Sequence, residues 1–323
     1  MSAAPLLSAR GIEVHFASAG GAIRAVDGVD LDLFPGETLA VVGESGCGKS
    51  TLARALIGLQ PLTSGAVRFG AQQVNGSSRA ALRPLRREMQ LVFQDPYASL
   101  NPRLTVSAII EEPLLLHERA TRRNADEKIC ALLEQVGLDP ALRRRYPHEF
   151  SGGQRQRISI ARALAVEPKV LLCDEVTSAL DVSVQAQILE LLKGLQEKLG
   201  LSYLFITHDL GVVRFIADRV MVMYVGQVVE LRETERLFEE PAHPYTQGLL
   251  ASVPELRAAG AKRDRPIGGE VPSPARPPSG CRFHPRCPKA FERCPQELPR
   301  LYDVSSGSSR CFLNEPEGRP SAD

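Results

Sequence analysis

Two stretches near the start of the chain alternate apolar and polar positions: Ile12, Val14 and Phe16, then Val29, Leu31 and Leu33. A period of two puts each apolar set on one face of a half-buried strand. Pro35-Gly36-Glu37 is a turn signal. The apolar run Thr38 to Val42 that follows has the character of a strand buried on both faces. Residues 48 to 59 carry a helical pattern ending at Gly58 or soon after. Met89 to Phe93 predicts a short strand that stops at Gln94-Asp95-Pro96. Residues 104 to 165 read mostly as helix, with Pro113 and Pro147 as interruptions. Val170 to Cys173 and Tyr203 to Ile206 predict buried strands. Between them, Ser183 to Leu199 predicts an amphipathic helix with apolar residues at 184, 188, 191, 192, 195 and 199. Val220, Val222 and Tyr224 alternate, and Gly226 separates them from Val228-Val229, a hairpin signal. This order predicts an α/β fold with a parallel-sheet core, an antiparallel β portion and an inserted helical segment.

From about residue 241 the composition changes. Residues 254 to 280 are rich in Pro, Gly, Ala and Arg, as in a linker or extended arm. Residues 281 to 311 hold four of the seven cysteines, and 314 to 323 are expected to be a disordered tail. The expected division is therefore 1–253, 254–313 and 314–323. A length of 323 residues with 43% hydrophobic content supports a sizeable core. The net charge of +1 gives no strong field toward nucleic acid, and no nucleic-acid partner is expected. No apolar run approaches the roughly 20 residues of a spanning helix, and Met1 to Arg10 lacks a signal-peptide pattern. The expectation is a soluble chain made in the cytosol, so that any membrane process it serves needs other chains to cross the bilayer.

The chemistry begins at Gly43-Glu44-Ser45-Gly46-Cys47-Gly48-Lys49-Ser50, which fits the P-loop pattern G-x-x-x-x-G-K-[ST] between a strand and a helix. Its glycines let consecutive backbone N–H groups curl around a phosphate chain. The helix that starts here, with Thr51 in its first turn, adds a positive dipole end. Lys49 is placed to bridge the β- and γ-phosphates, and Ser50 to hold Mg²⁺. A second phosphate-type site is Ser151-Gly152-Gly153-Gln154 at the head of a helical run. A hydroxyl and two glycines at a helix N-terminus suit an anion, and the same residues also suit a plain N-cap and turn. Asp174 and Glu175 close a buried strand. There Asp174 would hold Mg²⁺ through water and Glu175 would act as general base. Gln94 and His208 each end a strand.

In this order the motifs resemble those of ATP-binding-cassette (ABC) ATPases. The resemblance implies ATP and Mg²⁺ as ligands, and it gives each residue a role. Ser151, Gly153 and Gln154 would grip the γ-phosphate of a nucleotide bound to the opposite subunit. Gln94 would sense Mg²⁺ and the attacking water, and His208 would hydrogen-bond the γ-phosphate. Thr177-Ser178-Ala179-Leu180-Asp181 resembles the family's D-loop. One departure is Val176, where the family usually has Pro after the glutamate, so φ is not fixed there. The adenine contact falls on Phe16, with His15 or Ile23 as alternatives.

The resemblance narrows further. Tyr97-Ala98-Ser99-Leu100-Asn101-Pro102-Arg103, Arg145-Tyr146-Pro147-His148-Glu149-Phe150, Ala179 to Gln187 and His243-Pro244-Tyr245-Thr246 are similar to segments of bacterial dipeptide and oligopeptide importer ATPases. The chain is most like the second of the two ATPase subunits, the dipeptide-importer F-type. That family implies a heterodimer with a paralogous ATPase subunit, two transmembrane permeases and an extracytoplasmic substrate-binding protein reached through them. It also implies a peripheral place on the cytoplasmic face of the plasma (inner) membrane. Nickel, glutathione or opine import, or a non-transport role such as a carbon–phosphorus lyase accessory ATPase, are the alternatives. The cysteines Cys281, Cys287, Cys294 and Cys311 are spaced C-x5-C-x6-C-x16-C. Thiolates suit iron–sulfur clusters or zinc, and Cys287 and Cys294 are each followed by Pro. Similar importer ATPases carry a [4Fe–4S] cluster in this region; zinc and free thiols remain open.

Overall fold

The computed structural model describes residues 4–18, 21–95, 99–252 and 267–316. The chain divides into two compact units. One holds 7–32, 38–75 and 207–323 and is called here the phosphate-loop unit. The other holds 1–6, 33–37 and 76–206 and is called the helical unit.

The phosphate-loop unit opens with strands β1 (Leu7–Ser18), β2 (Gly21–Leu33) and β3 (Thr38–Val42) and helix α1 (Lys49–Leu56), followed by β4 (Ser64–Phe69) and β5 (Gln72–Gln73). A four-stranded sheet runs β2-β1-β4-β5. Along β1 the buried set is Leu7 and Ala9, then Ile12 and Val14. Its parity switches where the register against β4 shifts, between Arg10 and Glu13. One extra residue in a strand flips every later side chain, so this irregularity keeps both halves of the strand facing the core.

The helical unit contains α2 (Arg79–Glu88), β6 (Met89–Val92), α3 (Val106–Leu116), α4 (Ala125–Gln135), α5 (Gly152–Leu164), β7 (Val170–Asp174), α6 (Val182–Leu199) and β8 (Ser202–Ile206). Strand β7 pairs in parallel with β6 and with β8, and all five of its residues are buried. The expected break at Pro113 does not occur: Pro113 lies inside α3, which runs on to Leu116. Its missing N–H removes one ladder bond. The buried face of Val106, Ile109, Ile110 and Leu114 keeps the helix continuous. Pro147 does interrupt, opening a single 3₁₀ turn over Pro147–Glu149.

The chain then returns to the phosphate-loop unit with α7 (Leu210–Ile216), β9 (Arg219–Tyr224), β10 (Gln227–Glu233), α8 (Thr234–Glu239), α9 (Pro244–Ala251), β11 (Tyr302–Val304) and β12 (Gly307–Ser309). Strand β9 pairs in parallel with β3 and antiparallel with β10. The two-residue turn between β9 and β10 has φ 42° at Val225 and 80° at Gly226, as a type I′ hairpin requires. The C-terminal strands extend this hairpin, β12 on β10 and β11 on β12. A core of Ala40, Val42, Val220, Val222, Tyr224, Tyr245 and Phe283 joins β3, β9, α9 and the cysteine region.

The expected boundary at 253/254, the first half of the linker (254–266) and the end of the tail lie outside the described residues. So do Tyr97 and Ala98 of the stretch after Gln94. Among the described residues no helix is long and apolar enough to cross a membrane.

Candidate functional site

Strand β3 is buried at all five positions and delivers the chain to Gly43. A Cβ at Gly43 would lie 2.2 Å from the Met223 carbonyl oxygen, and one at Gly48 would lie 2.0 Å from that of Ala25. Neighbouring backbone thus excludes any side chain at either position, and Gly48 also has φ +107°. Lys49 is buried, and its Nζ donates to the carbonyls of Gly43 (2.7 Å) and Glu44 (3.1 Å), closing the loop on itself. Cys47 is buried beside this ammonium, with Sγ 3.9 Å from Nζ. Burial raises its thiol pKa, and Lys49 pulls the other way. Ser45 and Gly46 form the bend, with Gly46 at φ +79°. Gly48 occupies the N-cap of α1, and Ser50 and Thr51 lie in the first turn, both half-buried. Phe16, on β1, is 37% exposed, so its ring is not a core element. His15 is committed elsewhere, with Nε2 3.0 Å from Asp27 Oδ1, and Ile23 is half-buried. His208 is exposed just after Thr207, whose N–H donates to Val41 at the end of β3 (3.2 Å).

In the helical unit, Asp174 ends β7 and is buried. Glu175 has φ +49° and its N–H donates to the Ile206 carbonyl (3.0 Å). A left-handed backbone costs a residue with a Cβ about 1–2 kcal/mol. The turn that holds it there includes Ser178, whose N–H and Oγ both donate to the Glu175 carbonyl. Val176, in place of the family's usual Pro, is buried. Gln94 Nε2 donates to Glu175 Oε2 at 2.7 Å, so two of the expected residues meet although 81 positions apart.

Ser151 caps α5 in a capping box: its Oγ accepts from the Gln154 N–H (3.3 Å), and Gln154 Oε1 accepts from the Ser151 N–H (3.0 Å). Both side chains therefore do helix-end work here. A Cβ at Gly153 would come within 2.3 Å of Val184 Cγ1, so this glycine is also where α5 passes close to the start of α6.

Cys281, Cys287, Cys294 and Cys311 line one small cavity, walled by Phe283, Phe291 and Phe312 among others. Burial raises the pKa of Cys281 and Cys287 and pushes that of Cys311 up to about 11, with the neighbouring thiols adding to the effect. They do not form a tight set: among the described residues, the one metal-type group with ligand atoms within 4.8 Å of one another is Glu13, His15 and Asp27. A zinc ion with Zn–S near 2.3 Å would need sulfurs about 3.8 Å apart. The four thiols share a cavity without a cluster-like arrangement, so the geometry supports neither the expected iron–sulfur cluster nor zinc.

Sequence reasoning missed the contacts behind the phosphate loop. Arg286 makes a two-pronged ion pair with Glu44 (2.7 and 3.0 Å), and the Glu44 N–H donates to the Tyr245 hydroxyl (3.0 Å). Arg282 pairs with Asp27. The partners are separated by 242, 201 and 255 positions. The available signal was the His243-Pro244-Tyr245 segment, read only as a family mark.

One unit thus holds a phosphate loop closing β3, and the other, described by itself, holds a Gln94–Glu175 pair at the end of β7. Residues 26–178 match the family model described as ABC transporter, and residues 229–294 match that of the oligopeptide/dipeptide transporter C-terminal region. The chain is 49% identical to the di/tripeptide transport ATP-binding protein DppF of Pseudomonas aeruginosa, over 96% of this chain and 98% of that one. It belongs to the ABC transporter ATP-binding family. It is also 52% identical to the oligopeptide transport ATP-binding protein AppF of Bacillus subtilis, over 88% of each chain. With the oligopeptide transport ATP-binding protein OppF of Salmonella typhimurium it shares 47% identity over 96% of this chain and 97% of that one. Among solved structures, the ABC cassette MJ0796 in a dimeric post-hydrolysis state with ADP and phosphate is similar, with TM-score 0.65 and 30% identity. That alignment covers 71% of this chain and 98% of the cassette. This ABC protein is accordingly an ATPase, with the α/β fold of the P-loop cassettes.

Proposed function

We propose that this ABC ATPase powers the import of di- and oligopeptides through partner permeases. The observation that carries the proposal is the match to peptide-transporter proteins across the C-terminal region as well as the ATPase part. In this reading it pairs with a paralogous ATPase subunit, lies peripherally on the cytoplasmic face of the plasma membrane, and reaches an extracytoplasmic binding protein only through the permeases. Residues 1–253 serve as the ATPase domain and 254–313 as the transporter-type extension.

The residue roles follow from chemistry. Phe16 offers its exposed ring to adenine. Gly43, Ser45, Gly46, Cys47, Gly48 and Thr51 supply backbone N–H groups to the phosphates, and Lys49 supplies the charge. The oxygens of Ser50, Asp174 and Gln94 are hard donors of the kind Mg²⁺ takes; the ion would offset the charge on the phosphate oxygens. Glu175 takes a proton from the attacking water, and Gln94, already bonded to Glu175 Oε2, orients that carboxylate. His208 donates to the γ-phosphate. Ser151, Gly153 and Gln154 serve the nucleotide of the partner subunit.

The four cysteines share one apolar-walled cavity, and thiolates are the ligands that soft metals take. By resemblance the group would be an iron–sulfur cluster, [4Fe–4S], with zinc and free thiols as the alternatives. Held there, it would brace the extension. Iron and labile sulfide assays on anaerobically purified protein test this.

Uptake of labelled di- and oligopeptides by cells carrying Lys49→Ala tests the transport reading. Loss of uptake of a peptide class supports it. Unchanged uptake of every peptide would move the cargo to a metal, glutathione or opine, or to no cargo at all.

A further inference from the structure

The turn between Cys281 and Cys287 carries three side chains that reach the supports of the phosphate loop. Arg282 donates to the Val225 carbonyl and pairs with Asp27 on β2. Val225 and Gly226 form the β9–β10 turn, and the Gly226 N–H donates to the carbonyl of Cys47 inside the loop (2.9 Å). Phe283 packs edge-on against Tyr224 and Tyr245, with ring centroids 5.3 Å from each. Arg286 grips both carboxylate oxygens of Glu44 and donates to the Tyr224 hydroxyl (3.3 Å).

Glu44 is thus held twice from behind, through its carboxylate by Arg286 and through its N–H by Tyr245. The peptide unit that carries this N–H also carries the Gly43 carbonyl, which points the opposite way and accepts from Lys49 Nζ (2.7 Å). Holding a peptide unit at one end fixes the direction of its carbonyl, because the unit is planar. The pair is well protected: the Arg286 side chain is 6% exposed and that of Glu44 27%. A forked guanidinium fixes both distance and angle, which a lysine in its place does not.

We propose that Arg286 is a positioning residue for ATP: with Tyr245 it fixes the Glu44 segment of the phosphate loop, and so links the order of the cysteine turn to nucleotide affinity. The proposal rests on ATP binding at this loop. Arg286 does not touch the nucleotide in this scheme. It acts through Glu44, and it belongs to the cysteine turn, directly before Cys287.

The test is ATP binding to the full chain, followed with a fluorescent nucleotide, alongside thermal melting. Arg286→Gln should raise the Kd for ATP roughly fivefold or more, the lower end of ordinary coupling between sites. KM should rise while kcat at saturating ATP stays within about twofold, as for lost ground-state binding. Arg286→Lys should restore only part of the affinity. Glu44→Gln should give a shift similar to Arg286→Gln, and the double variant no further shift. Cys287→Ser should weaken binding in the Arg286 protein and leave it unchanged in an Arg286→Gln background. Should Arg286→Gln fail to fold, Glu44→Gln, at the more exposed end of the pair, carries the test. A Kd within twofold of wild type in the folded Glu44→Gln variant would overturn the proposal, as would additive shifts in the double variant. A Cys287→Ser protein with wild-type affinity would overturn the link to the cysteine turn. A wild-type chain that binds no ATP would instead overturn the nucleotide site itself.

Discussion

Gly153 is where packing and nucleotide chemistry are separable by experiment. An alanine there puts its Cβ 2.3 Å from Val184 Cγ1, against an ordinary carbon–carbon separation of about 3.5–4.0 Å. The missing space is more than 1 Å, and α5 is buried along most of its length, so the strain cannot relax by simple tilting. Overpacking of this kind costs about 1–3 kcal/mol. In a chain of this size that lowers Tm by roughly 2–10 °C. Removing the offending methyl with Val184→Ala leaves Val184 Cβ as the nearest atom of that residue, at an ordinary 3.7 Å. The double variant should therefore melt close to the Val184→Ala single variant. Thermal melts of the four proteins in the cycle measure this directly. ATPase activity should not return with stability under the proposed function, in which Gly153 also serves the partner subunit's nucleotide. A Gly153→Ala protein that melts within 1 °C of wild type, at about the error of such scans, would refute the packing argument. Full return of ATPase activity in the double variant would reduce Gly153 to a packing residue.

Three further outcomes follow from the site. Gly48→Ala, with its Cβ 2.0 Å from the Ala25 carbonyl oxygen, should abolish ATP binding while the rest of the chain stays folded; near-normal nucleotide affinity by calorimetry would contradict the loop geometry. Phe16→Ala should raise KM for ATP roughly tenfold, within the range of about 1–3 kcal/mol for stacking on a base, and leave Tm nearly unchanged because the ring is exposed; an unchanged KM would point to Ile23 instead. His243 is fully buried, its Nδ1 accepts from the Tyr245 N–H, and burial lowers its pKa to about 3. Its neutral ring therefore supports folding above pH 6.5, its ordinary pKa, and that support is lost as pH falls toward 3, by up to about 1.4 kcal/mol per unit. Tm should drop between pH 7.5 and 5.5, and His243→Asn, which keeps an acceptor, should flatten the drop; equal slopes in both proteins would contradict this.

The geometry of the phosphate loop was legible because it is local. A strand, a glycine loop and a helix within twenty residues fix one another's geometry, and Gly43 and Gly48 fall where neighbouring backbone forbids a side chain. The β9–β10 hairpin was legible from Gly226 for the same reason. Pro113 misled because tertiary burial of one helix face outweighs a single lost hydrogen bond. The left-handed backbone of Glu175 left no mark in a sequence that has no glycine there. Strands β11 and β12, three residues each, are too short to show a period and exist by pairing, β12 onto β10 and β11 onto β12. The Arg286–Glu44 and Arg282–Asp27 pairs join residues more than 200 positions apart, and no local pattern chooses their partners.

The central claim is that Glu175 activates water at an ATP site completed by a second subunit. Single-turnover hydrolysis of ATP by Glu175→Gln, compared with wild type, tests it most directly. The change keeps the size of the side chain and an oxygen for Gln94 to bond, so ATP binding should survive. Hydrolysis should fall by about a hundredfold or more, the usual worth of a general base, and an ATP-bound dimer should accumulate. Hydrolysis at the wild-type rate would contradict the account.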